Sequence, residues 1–309
     1  MKRSVLYYLS HPKRAWSVLL LKLSDRYAIK QAWDKIGRSY PLNFRNPQTL
    51  SEKIAWLKLY DRKPLYTILV DKYRAKLWLK EKFGDEHIIP TIKAYSKADD
   101  IFLEELPSSF VLKCNHDSGN VYLCFDKDKG VYYDKHMQSY NFVQVKDFLQ
   151  KGLSHNFYYN FREWPYKNVQ PCIVCEKLML LKDGTLPTDF KLFYINGEFQ
   201  FTYVSYGRGG VEDRCTYDKD WNRLPFVYVQ KYAYREDINT ENVPRPDSYD
   251  EMLKYGQQIA SYFKFVRIDF YDIDGKAYFG EITPFHCAGE AFFYPEKYDL
   301  VYGNKLQLK

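Results

Sequence analysis

The sequence predicts an α+β fold, in which a mostly helical N-terminal region precedes antiparallel strands. Residues 43–84 show helical apolar spacing, whereas the chain after Leu106-Pro107 shows short alternating runs divided by turn residues. With 309 residues the chain can bury a large core, which we expect to divide into two or three subdomains. Aromatic residues make up 18% of the chain, a composition that excludes a disordered protein.

The helices are predicted from their end signals. Thr49-Leu-Ser-Glu52 is a capping box, which predicts a helix that runs to about Tyr60. Asp71 is a typical N-cap and Gly84 a typical stop, so a second helix is predicted between them. Residues 249–263 predict a further helix near the C-terminus.

Two predicted strands flank a small polar loop. Residues 110–115 and 121–125 have the pattern of strands, and His116-Asp-Ser-Gly-Asn120 connects them. Lys113 interrupts the apolar run of the first strand. One interpretation is a phosphate cradle, in which loop amides cover a polyphosphate that Lys113 also reaches. The other is an ordinary hairpin turn.

Further strands are predicted at residues 172–181, 188–195 and 198–204. The first of them carries Glu176 and Lys177 beyond its apolar start. Asn196-Gly197 joins the other two as a hairpin turn. Alternation places Asp189 and Lys191 on one face of that hairpin.

The C-terminal hairpin carries the most informative charges. Residues 265–271 and 277–283 alternate as strands around a turn, with Arg267, Asp269 and Glu281 as charged exceptions. Acidic residues in such strands indicate that the hairpin presents charge to a bound group, and a divalent cation is the natural candidate. A solvent-exposed hairpin with scattered charges is the alternative.

The register of this hairpin decides whether the two acids meet. A two-residue Asp274-Gly275 loop would pair Asp269 with Gly280 and turn Glu281 to the opposite face. A three-residue loop or a bulge would instead set Asp269 opposite Glu281. Carboxylates so placed repel each other unless a cation bridges them, and Mg²⁺ uses one or two carboxylates together with phosphates and water.

The net charge of +7 is concentrated near the start of the chain. The apolar segment 15–23 is too short to span a bilayer and lacks the small-residue cleavage site of a signal peptide. It predicts either an amphipathic helix resting on an anionic membrane or an ordinary packing helix. We therefore expect a cytoplasmic protein with possible peripheral contact at the inner membrane face.

The six cysteines show no framework spacing, which favours reduced thiols in the cytoplasm. Cys172 and Cys175 are spaced like a metal knuckle, but residues three apart in a strand point to opposite faces. No second such pair exists, and a zinc site is not predicted.

Taken together, these segments resemble the ATP-grasp superfamily, and specifically its TupA-like branch, which is associated with bacterial polysaccharide and teichuronopeptide biosynthesis. The resemblance runs from about Asn43 to the end of the chain. Its signatures are Thr49-Leu-Ser-Glu-Lys53, Asp71-Lys72 with Arg74, Leu106-Pro-Ser-Ser-Phe-Val-Leu-Lys113, Asn115-His-Asp-Ser-Gly119, Asp189-Phe-Lys191, Val266-Arg-Ile-Asp-Phe270 and Gly280-Glu-Ile-Thr283.

The resemblance implies an ATP-grasp fold, in which two α+β subdomains grip ATP between antiparallel sheets. It implies an N-terminal helical region at 1–108, a small subdomain with the phosphate loop at 109–175, and a C-terminal subdomain with the metal hairpin at 176–309. The implied phosphate contacts are Lys72 and Lys113, and the implied phosphate loop contains Asn115, His116, Ser118, Gly119 and Asn120. The implied hinge beside adenine and ribose is Glu176, Lys177 and Leu178.

The resemblance also implies roles for the charged strand residues. Asp189 and Lys191 would complete the nucleotide site, Asp269 and Glu281 would hold Mg²⁺, and Arg267 would steady a tetrahedral intermediate. Two departures from the family pattern stand out. Thr283 occupies a position where many members carry Asn, which leaves open whether one or two metal ions bind. The phosphate loop contains a single glycine, Gly119, and is less glycine-rich than in other members.

The leading functional hypothesis is an ATP-dependent carboxylate–amine ligase. It would attach an amine or amino acid to a carboxylate of a cell-surface polysaccharide or its precursor through an acyl phosphate, and a net positive surface suits an acidic glycan. No Ser-His-Asp or Cys-His arrangement is apparent, and no nucleic-acid partner is expected. The alternatives are a glycosyltransferase, a kinase and a nucleotide-binding protein without turnover. Asp183-Gly-Thr185 and the Asp272-x-Asp274 pair imitate sugar-nucleotide motifs but also suit turns.

Overall fold

The computed structural model describes residues 19–206, 213–235 and 242–308, apart from residue 22. Most of the basic segment that we expected to contact a membrane therefore lies outside the described residues. In the part of the chain that is described, no helix is both long and apolar enough to cross a bilayer.

The helices begin where the sequence supplies caps. Thr49 and Glu52 make both bonds of the predicted capping box, and Asp71 accepts two backbone amides of the turn that follows it. The short helix Pro64–Val70 was not predicted; its proline stands at the first helical position, where no amide donor is needed. The helices are α1 (Asp25–Ile36), α2 (Leu50–Tyr60), α3 (Pro64–Val70), α4 (Lys72–Phe83), α5 (Phe142–Leu153), α6 (Tyr158–Phe161), α7 (Tyr249–Ala260) and α8 (Lys297–Lys305).

The described strands form a six-stranded, a five-stranded and a two-stranded sheet, and their named pairs are antiparallel. The six-stranded sheet has the order β1-β6-β2-β3-β4-β5, the five-stranded sheet β12-β11-β7-β8-β9, and the two-stranded sheet β10-β13. The strands are β1 (Thr91–Tyr95), β2 (Phe110–Cys114), β3 (Val121–Cys124), β4 (Tyr132–Tyr133), β5 (Ser139–Tyr140), β6 (Ile173–Glu176), β7 (Asp189–Ile195), β8 (Glu198–Tyr206), β9 (Asp213–Tyr217), β10 (Val227–Val229), β11 (Phe265–Ile273), β12 (Lys276–Thr283) and β13 (Phe292–Tyr294).

One strand is shorter than the sequence predicts. The run expected at 172–181 is a strand only from Ile173 to Glu176. At the next residue, the Lys177 amide donates to the Pro90 carbonyl at 3.0 Å. Pro90 has no amide to donate in return, so the paired ladder ends directly after Glu176.

The five-stranded sheet has an apolar core on each face. One core contains α3, α4 and α7 packed on side chains such as Leu192, Ile268 and Phe279. The other contains α2, α8 and the two-stranded sheet packed on Phe193 and Phe265. Side chains alternate along β11 and β7, so the charged residues predicted for the site lie on this second face, next to its apolar residues. They are Arg267 and Asp269 on β11 and Asp189 and Lys191 on β7.

A short segment after α4 connects the two large sheets. The Phe279 amide of β12 donates to the His87 carbonyl at 2.9 Å, and Ile88 bridges to Phe279. Three residues later Thr91 begins β1, which pairs with β6 at Glu176. Strand β1 falls within the region 1–108 that we predicted to be mostly helical, and the three predicted regions remain predictions.

Candidate nucleotide and metal site

The C-terminal hairpin has the register that sets its two acids opposite each other. Asp274-Gly275 forms a two-residue turn in which both residues have positive φ. The register then shifts by one residue at Gly280, so that Asp269 pairs with Glu281. This is the pairing that the implied Mg²⁺ site requires, and the short turn and the bulge occur together rather than as alternatives.

The bulge depends on glycine at position 280. A Cβ atom built there would lie 3.1 Å from the Tyr271 ring and 3.2 Å from the Asp269 carbonyl oxygen, tighter than ordinary van der Waals contact. Glycine therefore lets the extra residue fit against the opposite strand. The bulge returns Glu281 to the face of Asp269.

Arg267 binds both acids of the hairpin. Its guanidinium makes two bonds to Asp269, at 2.6 and 2.8 Å, and a third to Glu281 at 3.1 Å. Its remaining nitrogen faces His286 Nδ1 at 2.8 Å. Burial lowers the pKa of His286 well below its usual value, so the neutral ring accepts this bond. The arginine is thereby fixed on the carboxylate face.

Lys191 extends the same row of charges onto β7. It lies directly opposite Asp269 in the sheet, and its ammonium contacts Asp189 as well as Asp269, the latter at 2.9 Å. Burial raises the pKa of the Asp269 carboxyl, and the charges of Arg267 and Lys191 oppose this shift. Asp189, Lys191, Asp269 and Arg267 thus form one network; the face predicted within each hairpin is confirmed, and the contact between the hairpins is new.

Lys72 joins the hairpin to the polar loop. It is the first residue of α4, and its ammonium lies 3.6 Å from Glu281 and binds the Asp117 carbonyl. Its amide donates to the Asn115 carbonyl at 2.9 Å. The start of α4 therefore contacts both places that were predicted to hold phosphate and metal.

A second group of buried charges surrounds Glu176. Its carboxylate forms ion pairs with Lys113 at 2.7 Å and with Lys76 at 2.5 Å. Burial alone would raise the pKa of Glu176, but the two ammonium groups lower it below its usual value. Lys76 is missing from the predicted site, although it stands one helical turn after Lys72 and could have been found from that spacing.

The polar loop is held by its own side chains. Asn115 is buried, and its side chain accepts the Cys172 amide and donates to the Gln170 carbonyl. The Asp117 carboxylate accepts hydrogen bonds from the backbone amides of Gly119 and Asn120. These are the same amides that the phosphate-cradle interpretation assigns to a bound polyphosphate.

The remaining predicted loop and hinge residues occupy different environments. His116 is buried between the Asn115 side chain and the His155 carbonyl, whereas Ser118 and Gly119 are exposed at the tip of the loop. In the predicted hinge, Lys177 is exposed and Leu178 is buried. The Lys177 amide is already bonded to the Pro90 carbonyl, as described above.

A Cys-His contact that sequence analysis did not find lies beside Arg267. Cys287 Sγ is 3.5 Å from His286 Nε2, and the two residues are adjacent in the chain. Burial raises the pKa of the Cys287 thiol to about 11, and Arg267 only partly opposes this. The sulfur is a protonated thiol near neutral pH, so the pair does not have the character of a nucleophilic dyad.

The donor set at the hairpin fits Mg²⁺. Asp269 and Glu281 are cross-strand neighbours, and the buried Thr283 hydroxyl on the same strand has no hydrogen-bond partner among the described residues. Those residues contain no group of three or more His, Cys, Asp or Glu that could hold a metal by itself. Two carboxylates completed by phosphate oxygens and water are the arrangement that Mg²⁺ uses with nucleotides.

Comparisons with known structures show weak global similarity to ligases. D-alanine–D-alanine ligase from Helicobacter pylori is 15% identical, with 83% of this chain and 69% of that chain covered and a TM-score of 0.43. The Bacillus anthracis D-alanine–D-alanine ligase is 14% identical (70% and 57% covered, TM-score 0.41), and the Thermotoga maritima phosphoribosylamine–glycine ligase is 10% identical (74% and 53% covered, TM-score 0.41). The match thus spans little more than half the length of the last two enzymes.

No curated protein matches the sequence. The TupA-like ATPgrasp family, in contrast, matches residues 52–307, which include both large sheets and every residue of the charge clusters described above. The chain therefore belongs to the TupA-like ATP-grasp family and has the ATP-grasp fold.

Proposed function

We propose that this protein is an ATP-dependent carboxylate–amine ligase of bacterial cell-surface polysaccharide biosynthesis. The observation that carries the proposal is the meeting of two charge clusters where α4 joins the two large sheets. Cations outnumber carboxylates in these clusters, as binding of a triphosphate requires. The cations are Lys72, Lys76, Lys113, Lys191 and Arg267, and the carboxylates are Glu176, Asp189, Asp269 and Glu281.

The residues divide into binding and chemical roles. Lys72 and Lys113 would bind phosphate oxygens, and Lys76 is close enough to Lys113 to contribute to the same charge. Asp269 and Glu281 would hold Mg²⁺, which would neutralise charge on the phosphates. Arg267 stands between these carboxylates and would donate to the oxyanion that develops on the substrate.

The proposed reaction is balanced without a protein nucleophile. An oxygen of the substrate carboxylate attacks the γ-phosphorus of ATP, and ADP leaves. The amine then attacks the acyl carbon, loses a proton, and phosphate leaves as the C–N bond forms. The positive net charge of the chain favours an acidic glycan, or its precursor, as the carboxylate substrate. The proposal places the protein in the cytoplasm, with its basic N-terminus as the expected contact to the inner membrane face.

The two segments that resemble sugar-nucleotide motifs, at Asp183 and Asp272, have structural roles. Asp272 accepts the Ser248 amide and hydroxyl at 2.9 and 2.6 Å, and so fixes the entry to α7. Asp183 accepts the amide and hydroxyl of Thr185 within its turn. These acids are therefore engaged in local structure, which removes the support that they gave to a sugar-nucleotide site.

Product analysis tests the proposed reaction. The protein is incubated with ATP, Mg²⁺ and extracts of acidic glycan precursors and amines, and separately with UDP-sugars. The expected products are ADP and phosphate in amounts that depend on both substrates. ADP with a phosphorylated acceptor would indicate a kinase, and UDP release a glycosyltransferase; either result would contradict the proposal.

A further inference from the structure

A second set of acidic residues lies beside the metal hairpin and takes no part in the roles above. Glu163 is only 6% exposed, and its carboxylate makes no hydrogen bond or ion pair with any described residue. Its place is set by Lys58, whose ammonium binds both the Phe161 carbonyl, two residues before Glu163, and the Ala288 carbonyl, two residues after the His286 ring that contacts Arg267. The Glu163 oxygens are not among the fully buried atoms that lack a partner, so this enclosed carboxylate still has surface that a ligand could reach.

Tyr166 accompanies Glu163. Glu163 is the N-cap of a 3₁₀ turn at Trp164–Asn168, and residues three apart in such a turn lie on the same side. The Tyr166 side chain is 7% exposed, and its hydroxyl has no hydrogen-bond partner among the described residues. It interacts electrostatically with Glu163, Glu281 and Arg267. Two polar groups without a hydrogen-bond partner among the described residues therefore lie on one side of the same turn.

Lys58 fixes the geometry around this turn. Its buried ammonium donates to the carbonyls of Phe161 and Ala288, both at 2.9 Å. These carbonyls lie two residues before Glu163 and two residues before Glu290, so Lys58 holds both glutamates near its own charge.

The loop that carries Glu290 is held in an uncommon conformation. Cys287, Ala288 and Gly289 follow one another with positive φ of 46°, 56° and 79°. A non-glycine residue with positive φ is uncommon, and runs of this kind persist where surrounding contacts enforce them, often at ligand sites. Here Lys58 binds the Ala288 carbonyl and Arg38 binds the Gly289 carbonyl at 2.9 Å.

We propose that Glu163 and Tyr166 bind the ammonium group of the amine substrate. This inference rests on the proposed ligase function and names the group that its nucleophile presents. The Glu163 carboxylate accepts from the substrate ammonium, and the Tyr166 hydroxyl accepts a second of its protons. The substrate nitrogen is then held beside Arg267 and Glu281, where the acyl phosphate would form.

The environment of Glu163 agrees with a cationic ligand. Burial raises the pKa of Glu163 to about 8, and Lys58 opposes this shift without cancelling it. A second cation beside the carboxylate would favour its ionised form.

The test uses the full chain loaded with Mg²⁺ and the non-hydrolysable nucleotide AMP-PNP. The probes are the amides of the twenty amino acids and the same amides with acetylated amino groups, read as shifts in Tm and then titrated. We expect at least one free amine, but not its acetylated match, to bind the wild-type protein. Glu163→Gln should weaken that binding by about tenfold or more, and Tyr166→Phe by a few-fold.

The controls separate this proposal from the function on which it rests. Nucleotide affinity should stay within about twofold in both variants, and Glu104→Gln, which changes an exposed glutamate, should leave amine binding unchanged. The amine site alone would be overturned if the wild-type protein bound nucleotide but none of the free amines. It would also be overturned if Glu163→Gln bound the amine as tightly as the wild-type protein. Fewer bound Mn²⁺ ions in Glu163→Gln would instead make Glu163 a metal ligand and would also overturn it. Failure of the wild-type protein to bind nucleotide would overturn the ligase function itself.

Discussion

At the scale of single residues, the cations that we propose to bind phosphate and substrate are already paired with carboxylates of the chain. Lys113 and Lys76 share Glu176, and Arg267 is shared by Asp269 and Glu281. Each pairing keeps a charge ionised in a buried position, where an isolated ion would be very costly. A bound nucleotide must therefore compete with these carboxylates for the same cations.

Replacing Lys113 should weaken nucleotide binding. We expect Lys113→Met to reduce the affinity for Mg·ATP by about ten- to a hundredfold, since one charge-assisted hydrogen bond contributes roughly 1.5–3 kcal/mol. Isothermal titration calorimetry measures the change. Lys93→Met is the matched control, because Lys93 also lies in the six-stranded sheet and forms an ion pair with a glutamate, but near the surface. Equal affinities in wild type and Lys113→Met would make Lys113 a structural partner of Glu176.

Replacing Arg267 should separate binding from turnover. We expect Arg267→Met to leave Mg·ATP affinity within a few-fold but to slow ligation by roughly 10²–10³, because a donor to a developing oxyanion acts mainly in the transition state. Rates are measured with the accepted substrates, and acceptor-independent ADP release is recorded alongside. Loss of nucleotide affinity without a separate effect on rate would show that Arg267 is a nucleotide clamp.

Lys76 should make nucleotide binding depend on pH. Burial lowers its pKa to about 8, while Glu176 opposes this shift, so the free protein loses this proton as the pH rises through 8. Phosphate favours the charged form, and binding should therefore take up a proton and weaken above pH 8. Calorimetry from pH 7 to about 9.5 should show this decline in wild type and in Lys80→Met, an exposed lysine of the same helix. A decline of the same size in Lys76→Met would assign it to another group.

At the scale of elements, the hairpin shows why a correct register needs more than its turn. The Asp274-Gly275 turn was visible in the sequence, and by itself it would have separated Asp269 from Glu281. The bulge at Gly280 restores the pairing. An isolated glycine in a strand is consistent with a bulge but does not fix its position, so sequence alone left both registers open.

A side chain at position 280 should disturb the bulge. We expect Gly280→Ala to destabilise the protein by about 1–3 kcal/mol, because its Cβ would press on the backbone of Asp269 and the Tyr271 ring. Chemical denaturation measures the loss. Gly119→Ala is the control for stability, since a Cβ there meets no atom within 4 Å. A neutral Gly280→Ala variant would show that the bulge tolerates a side chain.

Elements with local signals were predictable, and those set by distant contacts were not. The capping box at Thr49 and the N-cap at Asp71 lie within the helices that they start. The early end of β6 depends instead on Pro90, which is remote in sequence from Lys177. Helix α3 lacks a side-chain cap and is held by packing, as its buried residues in the apolar core indicate.

At the scale of the whole molecule, the site forms where segments distant in sequence converge. The charged motifs of α4, β2, β7 and the C-terminal hairpin could be read one by one, because each contains an unexpected charge. Lys76, Glu163, Tyr166 and His286 were not found, since their roles come from tertiary contacts with groups elsewhere in the chain. The sequence thus contains local signals for the residues proposed to bind nucleotide and metal, but none for those proposed to bind the amine.

We propose that nucleotide and metal bind where α4 meets the two large sheets. A crystal structure of the protein with Mg²⁺ and AMP-PNP would show both sites at once. We expect phosphate oxygens within hydrogen-bond distance of Lys72 and Lys113, and Mg²⁺ coordinated by Asp269 and Glu281. Nucleotide density elsewhere on the molecule, or a metal ion bound without these two carboxylates, would contradict it.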